Sequence, residues 1–524
     1  MQAVKLSTVC AGLAALFAAY AVLLVLPGGL FLTTHDGDTL HMIAIVERMA
    51  QGQVPHRDFM TPIGALAFFP IAVLVRLGLD AGMAFAVAQA VVGGVMTALA
   101  VYVARGRMPA WAVGVFGALV LILCVALVHG GADIAVSVSM HYNRWAWALV
   151  FVALVAAALP GEGRADGVVV GLCMAALVMT KVTFFVAAAP VVILAALLTG
   201  QTRMMMLAIG TGLVVAVALT VILGPDYWTA YAGDLLTVAG SQIRPQPGLG
   251  LSQLILSPAY IAGTLLAVVG GFVLRAAGQQ SAALILWGVA ASGIYITYQN
   301  FGNDPKWLAL MALLLALFAL PLAGRTRGAA LAIAFGSAIL ALPSFLNMAV
   351  SPLRHAAIPQ ADYTPLLAGT DWHQDVQFSR LKSNRVRGDV ALVDGVRGFD
   401  APATMPGPGT FRGEPLRDCR SGPKSAYFAS ITADLKDRGL GQGQSIFALD
   451  IFSPYWLYGA HPPLRGGAPW YYDGLSGYAD ADLVLVPTCP TVVTMRRILA
   501  QDLDDAALTE IVRTPLYTLY EKAG

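Results

Sequence analysis

The chain has 524 residues, 58% of them hydrophobic and only 12% charged, with a mean hydropathy of +0.71. A soluble globular protein of this length does not reach that composition, so most of the chain reads as membrane-embedded. The formal net charge of +2 gives no reason to expect a nucleic-acid partner.

The first apolar stretch, Val4 to Leu32, carries Lys5 at its start and resembles a secretory signal. It runs too long and lacks a small-x-small cleavage site, so an uncleaved span is expected. Segments suited to crossing about 30 Å of hydrocarbon fall near 8–31, 82–104, 110–129, 144–160, 167–180, 183–199, 204–223, 253–274, 281–298, 306–322 and 328–350. The expectation is a polytopic α-helical membrane protein of about 11 transmembrane helices. Arg105 with Arg107, Arg164, Arg203, Arg275, and Arg325 with Arg327 stand at alternate ends of these segments. The positive-inside rule places them in the cytoplasm together with the N-terminus. Residues 33–81, 130–143, 225–252, 299–305 and everything after 350 are then external.

Two segments test this scheme. Residues 63–77 are apolar enough for a span, but counting them as one would move Arg105 and Arg107 outside, so a short external or re-entrant helix is predicted. Val168 to Leu198 is too long for one ordinary crossing, and Thr180-Lys181 interrupts its middle. Two short helices meeting at an external tip near Lys181 satisfy the length and the flanking arginines.

Composition changes after Pro352, where Asp, Arg, Gly and Pro become dense. The expected division is a transmembrane catalytic part over 1–350, with a first external loop at 33–81, and a soluble α/β domain over 351–524. Strands are expected at Val390–Val393, Ser445–Leu449 and Leu483–Val486, and a helix over Thr491 to Leu503. Cys419 and Cys489 both fall in this external part, where a disulfide is permitted but spacing alone does not prove it.

The first loop concentrates chemistry. Thr34-His35-Asp36-Gly37-Asp38-Thr39 follows the first span directly, and two carboxylates at a membrane edge are costly to keep unless they act there. A helical pattern follows in Leu40, Ile43, Ala44, Val46 and Met49, with Asp38 or Thr39 placed to cap it. Next come His56-Arg57-Asp58-Phe59 and Thr61-Pro62-Ile63-Gly64. Helix capping and loop solvation explain one of these acids, and explain three acids beside three histidines and an arginine less well.

An acidic loop after span one, a juxtamembrane helix, a Pro-His-Arg-Asp-Phe…Pro-x-Gly segment and an external C-terminal domain resemble the GT-C superfamily. These are integral-membrane glycosyltransferases that use polyprenyl-phosphate sugars. The resemblance implies that a monosaccharide passes from a polyprenyl-phosphate donor to an acceptor glycan or lipid on the periplasmic side of a bacterial inner membrane. It gives the role of general base to the first-loop acid, here Asp36 or Asp38, with Asp36 favoured as the nearer to span one. Asp-x-Asp also resembles the metal motif of nucleotide-sugar transferases. No cofactor is expected, and Asp36 and Asp38 are the ligands if a divalent cation is used.

A lipid-phosphate leaving group calls for cations at the external membrane edge. Lys181 is the first candidate, against the alternative of a snorkelling lysine. Arg57, Arg144 and Arg244 follow, with His56 and Asp58 beside Arg57 as further donor-binding candidates. In Tyr298 to Trp307, Asn300 and Asp304 are candidates for a sugar or phosphate site, against an ordinary polar loop. Tyr455 to Tyr458 and Trp470 to Tyr472 are aromatic-rich, and packing is expected of them before carbohydrate stacking. No Walker loop, Rossmann fingerprint or zinc spacing appears, so the activated group must arrive on the donor. The competing readings are a transporter or flippase of a lipid-linked saccharide, which would favour repeats and mid-membrane polar sites, and an O-antigen polymerase or ligase.

Overall fold

In lipid, backbone N–H and C=O groups must be satisfied within the segment, so the apolar runs of this chain have to be helices. The computed structural model describes residues 5–161, 163, 165–241, 251–300, 304–383, 409–417, 419, 424–459 and 461–523. Arg164, Arg244 and the expected strand at Val390–Val393 lie outside the described residues.

The helices run α1 (Leu6–Val25), α2 (Asp36–Ala50), α3 (Phe69–Arg76), α4 (Ala81–Ala104), α5 (Ala110–Val125), α6 (His141–Ala158), α7 (Asp166–Thr180), α8 (Val182–Leu198) and α9 (Thr202–Leu223). They continue with α10 (Asp226–Gly240), α11 (Leu251–Leu256), α12 (Pro258–Ala276), α13 (Gln280–Gln299), α14 (Trp307–Phe318), α15 (Gly324–Ala356), α16 (Arg380–Ser383), α17 (Lys424–Asp437) and α18 (Val493–Asp502). Among the described residues, six of these are long and apolar enough to cross a membrane: α1, α4, α9, α12, α13 and α15. The other five expected segments also fold as helices, α5, α6, α7, α8 and α14, none longer than the 18 residues of α6. The 63–77 stretch yields one turn at Ala65–Ala67 and the eight-residue α3. At about 1.5 Å per residue, α3 is far too short to span.

The long run from Val168 breaks where the sequence suggested. Lys181 is extended (φ −159°, ψ 105°) between the end of α7 and the start of α8. The composition change at Pro352 does not end a helix: α15 continues through it to Ala356. Ser351, Pro352 and His355 are buried on one face there, so packing carries the helix past the proline.

The strands are β1 (Leu30–Leu32), β2 (Tyr363–Pro365), β3 (Val376–Ser379), β4 (Thr410–Phe411), β5 (Glu414–Pro415), β6 (Ile446–Ala448), β7 (Leu483–Pro487), β8 (Leu508–Arg513) and β9 (Tyr517–Lys522). A mixed sheet of order β6-β7-β9-β8 has β6 parallel to β7 and the remaining pairs antiparallel. The β6, β7 and α18 elements fall where the sequence suggested. A smaller sheet, β1-β3-β2, pairs the residues just after α1 in parallel with a strand from the C-terminal third.

Two helix N-termini are capped across the same divide. The first N–H groups of a helix have no partner within it. At α4 they are taken by the C-terminal segment: Ala81 N–H donates to His373 Nδ1 (3.1 Å), Gly82 N–H to Asp375 Oδ1 (3.0 Å) and Met83 N–H to Asp375 Oδ2 (2.6 Å). Gly82 is needed here, because a Cβ would lie 2.8 Å from both the Asp375 carbonyl and carboxylate oxygens. At α17 the arrangement is reversed. Ser425 N–H and its hydroxyl donate to Asp36 Oδ2 at 2.9 and 3.1 Å, from the first turn of α2.

Cys419 and Cys489 are joined in a disulfide with Cα atoms 4.8 Å apart, across 70 residues. A bond closing a loop of that size stabilises mainly by restricting the unfolded chain, typically by about 2–4 kcal/mol. Cys489→Ser should therefore lower the unfolding free energy of the C-terminal third by about that amount. Chemical denaturation followed by hydrogen exchange on α17 and β7 measures it, and an unchanged midpoint would contradict the prediction.

Candidate functional site

The first turn of α2 decides where the two acids point. His35 precedes the helix in a left-handed conformation (φ 60°), and neither Asp38 nor Thr39 caps it as the sequence suggested. The helix begins one turn earlier, at Asp36, because both carboxylates find partners elsewhere. Asp36 is 8% exposed and committed to Ser425. Asp38 faces the α5–α6 loop, where the Ser139 hydroxyl donates to Asp38 Oδ2 at 2.5 Å.

Around Asp38 the loop gathers histidines and cations. His129 Nδ1 lies 3.2 Å from Ser139 Oγ, His35 Nδ1 lies 2.9 Å from Ser137 Oγ, and the two imidazole rings are 4.8 Å apart. Burial pushes the His129 imidazole down to about 4, aided by the positive charges of His35, Arg144 and Lys306 and opposed by Asp38. Arg144, 1% exposed, donates from Nη1 to the Val128 (2.6 Å) and Ser139 (3.2 Å) carbonyls and from Nη2 to Ala126 (3.1 Å). It holds the serine-bearing loop in shape while adding positive potential to the site.

Asp304 and Lys306 close one side as a buried ion pair at 2.5 Å. Burial alone would raise the Asp304 carboxyl, but the Lys306 ammonium and hydrogen bonds from Lys306, Ser344 and the Gly131 backbone hold it below the usual carboxylate range. Lys181 donates to the Asn143 amide oxygen (3.1 Å) and to that of Asn300, and lies 5.3 Å from the Tyr142 ring centre. Asn143 and Arg144 are neighbours on α6, so the Lys181 joint and the Asp38 group share that helix.

The His56-Arg57-Asp58 turn has other partners. His56 Nδ1 is 2.8 Å from Asp234 Oδ2, with its ring stacked on Tyr231. Arg57 donates to the Leu223 carbonyl (2.7 Å) and lies 3.6 Å from Asp226, and Asp58 accepts the Val54 N–H at 2.6 Å. These contacts fasten the first loop to the α9–α10 corner. Beside that loop lies an apolar cavity of about 570 Å³, bounded by Val54, Leu66, Phe69, Met179 and Leu219. A second, of about 310 Å³, adjoins it between α7, α8 and α9. Both fall in the size range of ligand sites.

Among the described residues, no three His, Cys, Asp or Glu side chains converge as a metal cage. Asp36 and Asp38 bind different elements and do not form a joint ligand pair. Ser137, Ser139, His129, Lys306, Lys424 and Ser425 were missed as site residues. Polar residues at alternate positions in the otherwise apolar Val136-Ser137-Val138-Ser139, just before Arg144, were a legible sign of the first two. Nothing in the sequence ties Lys424 to the site, where its side chain packs over Gly37, so that a Cβ there would lie 2.6 Å from Lys424 Cδ.

No known family matches the chain, and no curated protein does. Similar solved structures include ArnT from Cupriavidus metallidurans in the apo state, with 11% identity, a TM-score of 0.40 and 98% of each chain covered. ArnT from the same organism bound to undecaprenyl phosphate gives 12% identity and a TM-score of 0.45, over 97% of this chain and 98% of that one. Scores of that size decide neither ligand nor activity, and the functional reading rests on the site.

Lowering the pH tests the His129 environment. The unfolded imidazole takes a proton near 6.5 and the folded one only near 4, so the unfolded state binds the proton first. Stability should fall as pH drops through that interval. Thermal unfolding at pH 7 and pH 4.5 should show a larger loss for the native chain than for His129→Asn. Equal losses would mean that His129 titrates alike folded and unfolded.

Proposed function

We propose that the protein is a membrane glycosyltransferase that moves a monosaccharide from a polyprenyl-phosphate donor to an acceptor hydroxyl on a periplasmic glycan or lipid. The observation that carries this reading is Asp38, a carboxylate at the first turn of α2. It is oriented by one hydroxyl donor and neighbours His129, which feels the charges of Arg144 and Lys306, beside a helix joint that presents Lys181. The adjoining apolar cavities have the lining a polyprenyl chain requires. In the reaction, the acceptor oxygen attacks the anomeric carbon of the donor sugar as the bond to the lipid-phosphate oxygen breaks. Asp38 takes the acceptor's proton, and the departing phosphate keeps the electron pair of the broken bond. Lys181, at the joint of two short helices, neutralises charge on the leaving phosphate. Attack opposite the leaving group inverts the anomeric configuration.

Asp38 is the better base because one donor leaves lone pairs of its carboxylate for a substrate proton. Asp36 is buried and caps α17. The disulfide suits an oxidising compartment, which agrees with a periplasmic C-terminal domain, a cytoplasmic N-terminus and residence in a bacterial inner membrane. His56, Arg57, Asp58, Asn300 and Asp304 serve in this reading to shape the donor site: Asn300 holds Lys181, and the other four set the loop positions.

Turnover in nanodiscs with a panel of polyprenyl-phosphate sugars separates the two acids. Asp38→Asn should lose about 10²–10⁴-fold in rate with its melting temperature retained. Asp36→Asn should retain most turnover and lose stability, by about the 1.5–3 kcal/mol of a hydrogen bond to a charged group. Near-normal turnover in Asp38→Asn would remove it as the base.

A further inference from the structure

The C-terminal third holds a further cavity, of about 330 Å³, unlike the apolar ones in its walls. Its floor is ring surface from Trp372, Tyr458 and His461. Each ring is fixed by a hydrogen bond at its edge: Trp372 Nε1 to the Leu457 carbonyl (3.0 Å), Tyr458 Oη to that of Leu366 (3.4 Å) and His461 Nδ1 to that of Gly441 (2.7 Å). Their bonded polar atoms are thereby turned into the protein; Trp372 lays one face on His373, with ring centres 5.1 Å apart, and the remaining ring surface borders the cavity. Gly441 (φ 69°) is required for this, since a Cβ there would stand 2.9 Å from the His461 ring.

The rim has the opposite character. Asp371, Lys436 and Gln442 are exposed and line the cavity, and their side chains make no hydrogen bond or ion pair within the described residues. They offer one acceptor group, one donor group and one amide that does both. A single-charge ligand of either sign would meet a like charge at this rim, and an alkyl chain would strip water from all three groups without replacing it. A neutral ligand rich in hydroxyls fits: it can stack its C–H face on the rings and exchange hydrogen bonds with the rim. The volume falls at the lower end for ligand sites, which suits a short saccharide.

We infer that this cleft binds a neutral saccharide unit, and, resting on the glycosyl-transfer reading, that the unit belongs to the acceptor. The fold supplies the connection. Thr432 and Lys436 in its wall lie on α17, whose first turn is capped by Asp36, two residues before Asp38. A glycan held in the cleft is thus registered against the catalytic turn through one helix.

The test is saturation-transfer NMR and calorimetry on the full-length protein in nanodiscs, with the neutral disaccharides maltose, lactose and chitobiose. At least one should bind in the native chain. Its Kd should rise about tenfold, the effect of about 1.4 kcal/mol, in the surface double variant Lys436→Ala, Gln442→Ala, whose fold is not at risk. Binding should be unchanged in Asp38→Asn, which reads the catalytic proposal separately through turnover. No binding by any of the three, or equal binding in the double variant, overturns the inference. Binding lost in Asp38→Asn but kept in the double variant would place the sugar at the α2 turn and overturn it as well.

Discussion

Reciprocal capping of two helices holds this molecule together across its length. Asp375 and His373, far along the chain, take the free N–H groups of α4, while Asp36 from the first loop takes that of α17. Unpaired N–H groups at a buried helix start each cost free energy, and a carboxylate answers both the hydrogen bond and the helix dipole. Each such contact to a carboxylate contributes about 1.5–3 kcal/mol, a sizeable share of a net stability of about 5–15 kcal/mol. Parallel pairing of β1 with β3 adds backbone bonds along the same seam. His373 reinforces it: with Nδ1 accepting from Ala81, its other nitrogen carries the proton to Glu47 of α2 at 2.6 Å.

This seam explains why two acids two residues apart have different work. A helix turn sends Asp36 and Asp38 to different neighbours, one to the C-terminal third and one to the α5–α6 loop. The first carboxylate is spent on docking. The second accepts from Ser139, whose hydroxyl also borders His129. The catalytic turn is in this account held from both sides, so its position depends on contacts 101 residues away at Ser139 and 389 away at Ser425.

Much of the architecture was legible because composition dictates it. Each expected apolar segment folds as a helix, the 63–77 stretch is too short to span, and the Lys181 joint falls where polar residues interrupt a long apolar run. Asp36 and Asp38 could be singled out from their place after the first span, but their partners could not be read from it. Pairing between residues so distant in sequence follows from tertiary packing, which periodicity does not encode. The same blindness misplaced the start of α2, where capping rules pointed to Asp38 or Thr39. Arg144 was singled out as a cation for the lipid phosphate, and the contacts show it clamping three carbonyls. The last apolar segment was expected to end at 350, and α15 runs on to Ala356 because Ser351, Pro352 and His355 pack on one face.

The central claim is that donor chemistry occurs at Asp38 with the lipid phosphate at Lys181. The direct measurement is a structure of the full-length protein in nanodiscs with a non-transferable polyprenyl-phosphonate sugar. The account predicts the phosphonate within hydrogen-bonding reach of Lys181, the polyprenyl chain in the cavity beside Phe69 and Met179, and the anomeric carbon facing the Asp38 carboxylate. A sugar bound away from Asp38, with the phosphonate on other cations, would contradict it.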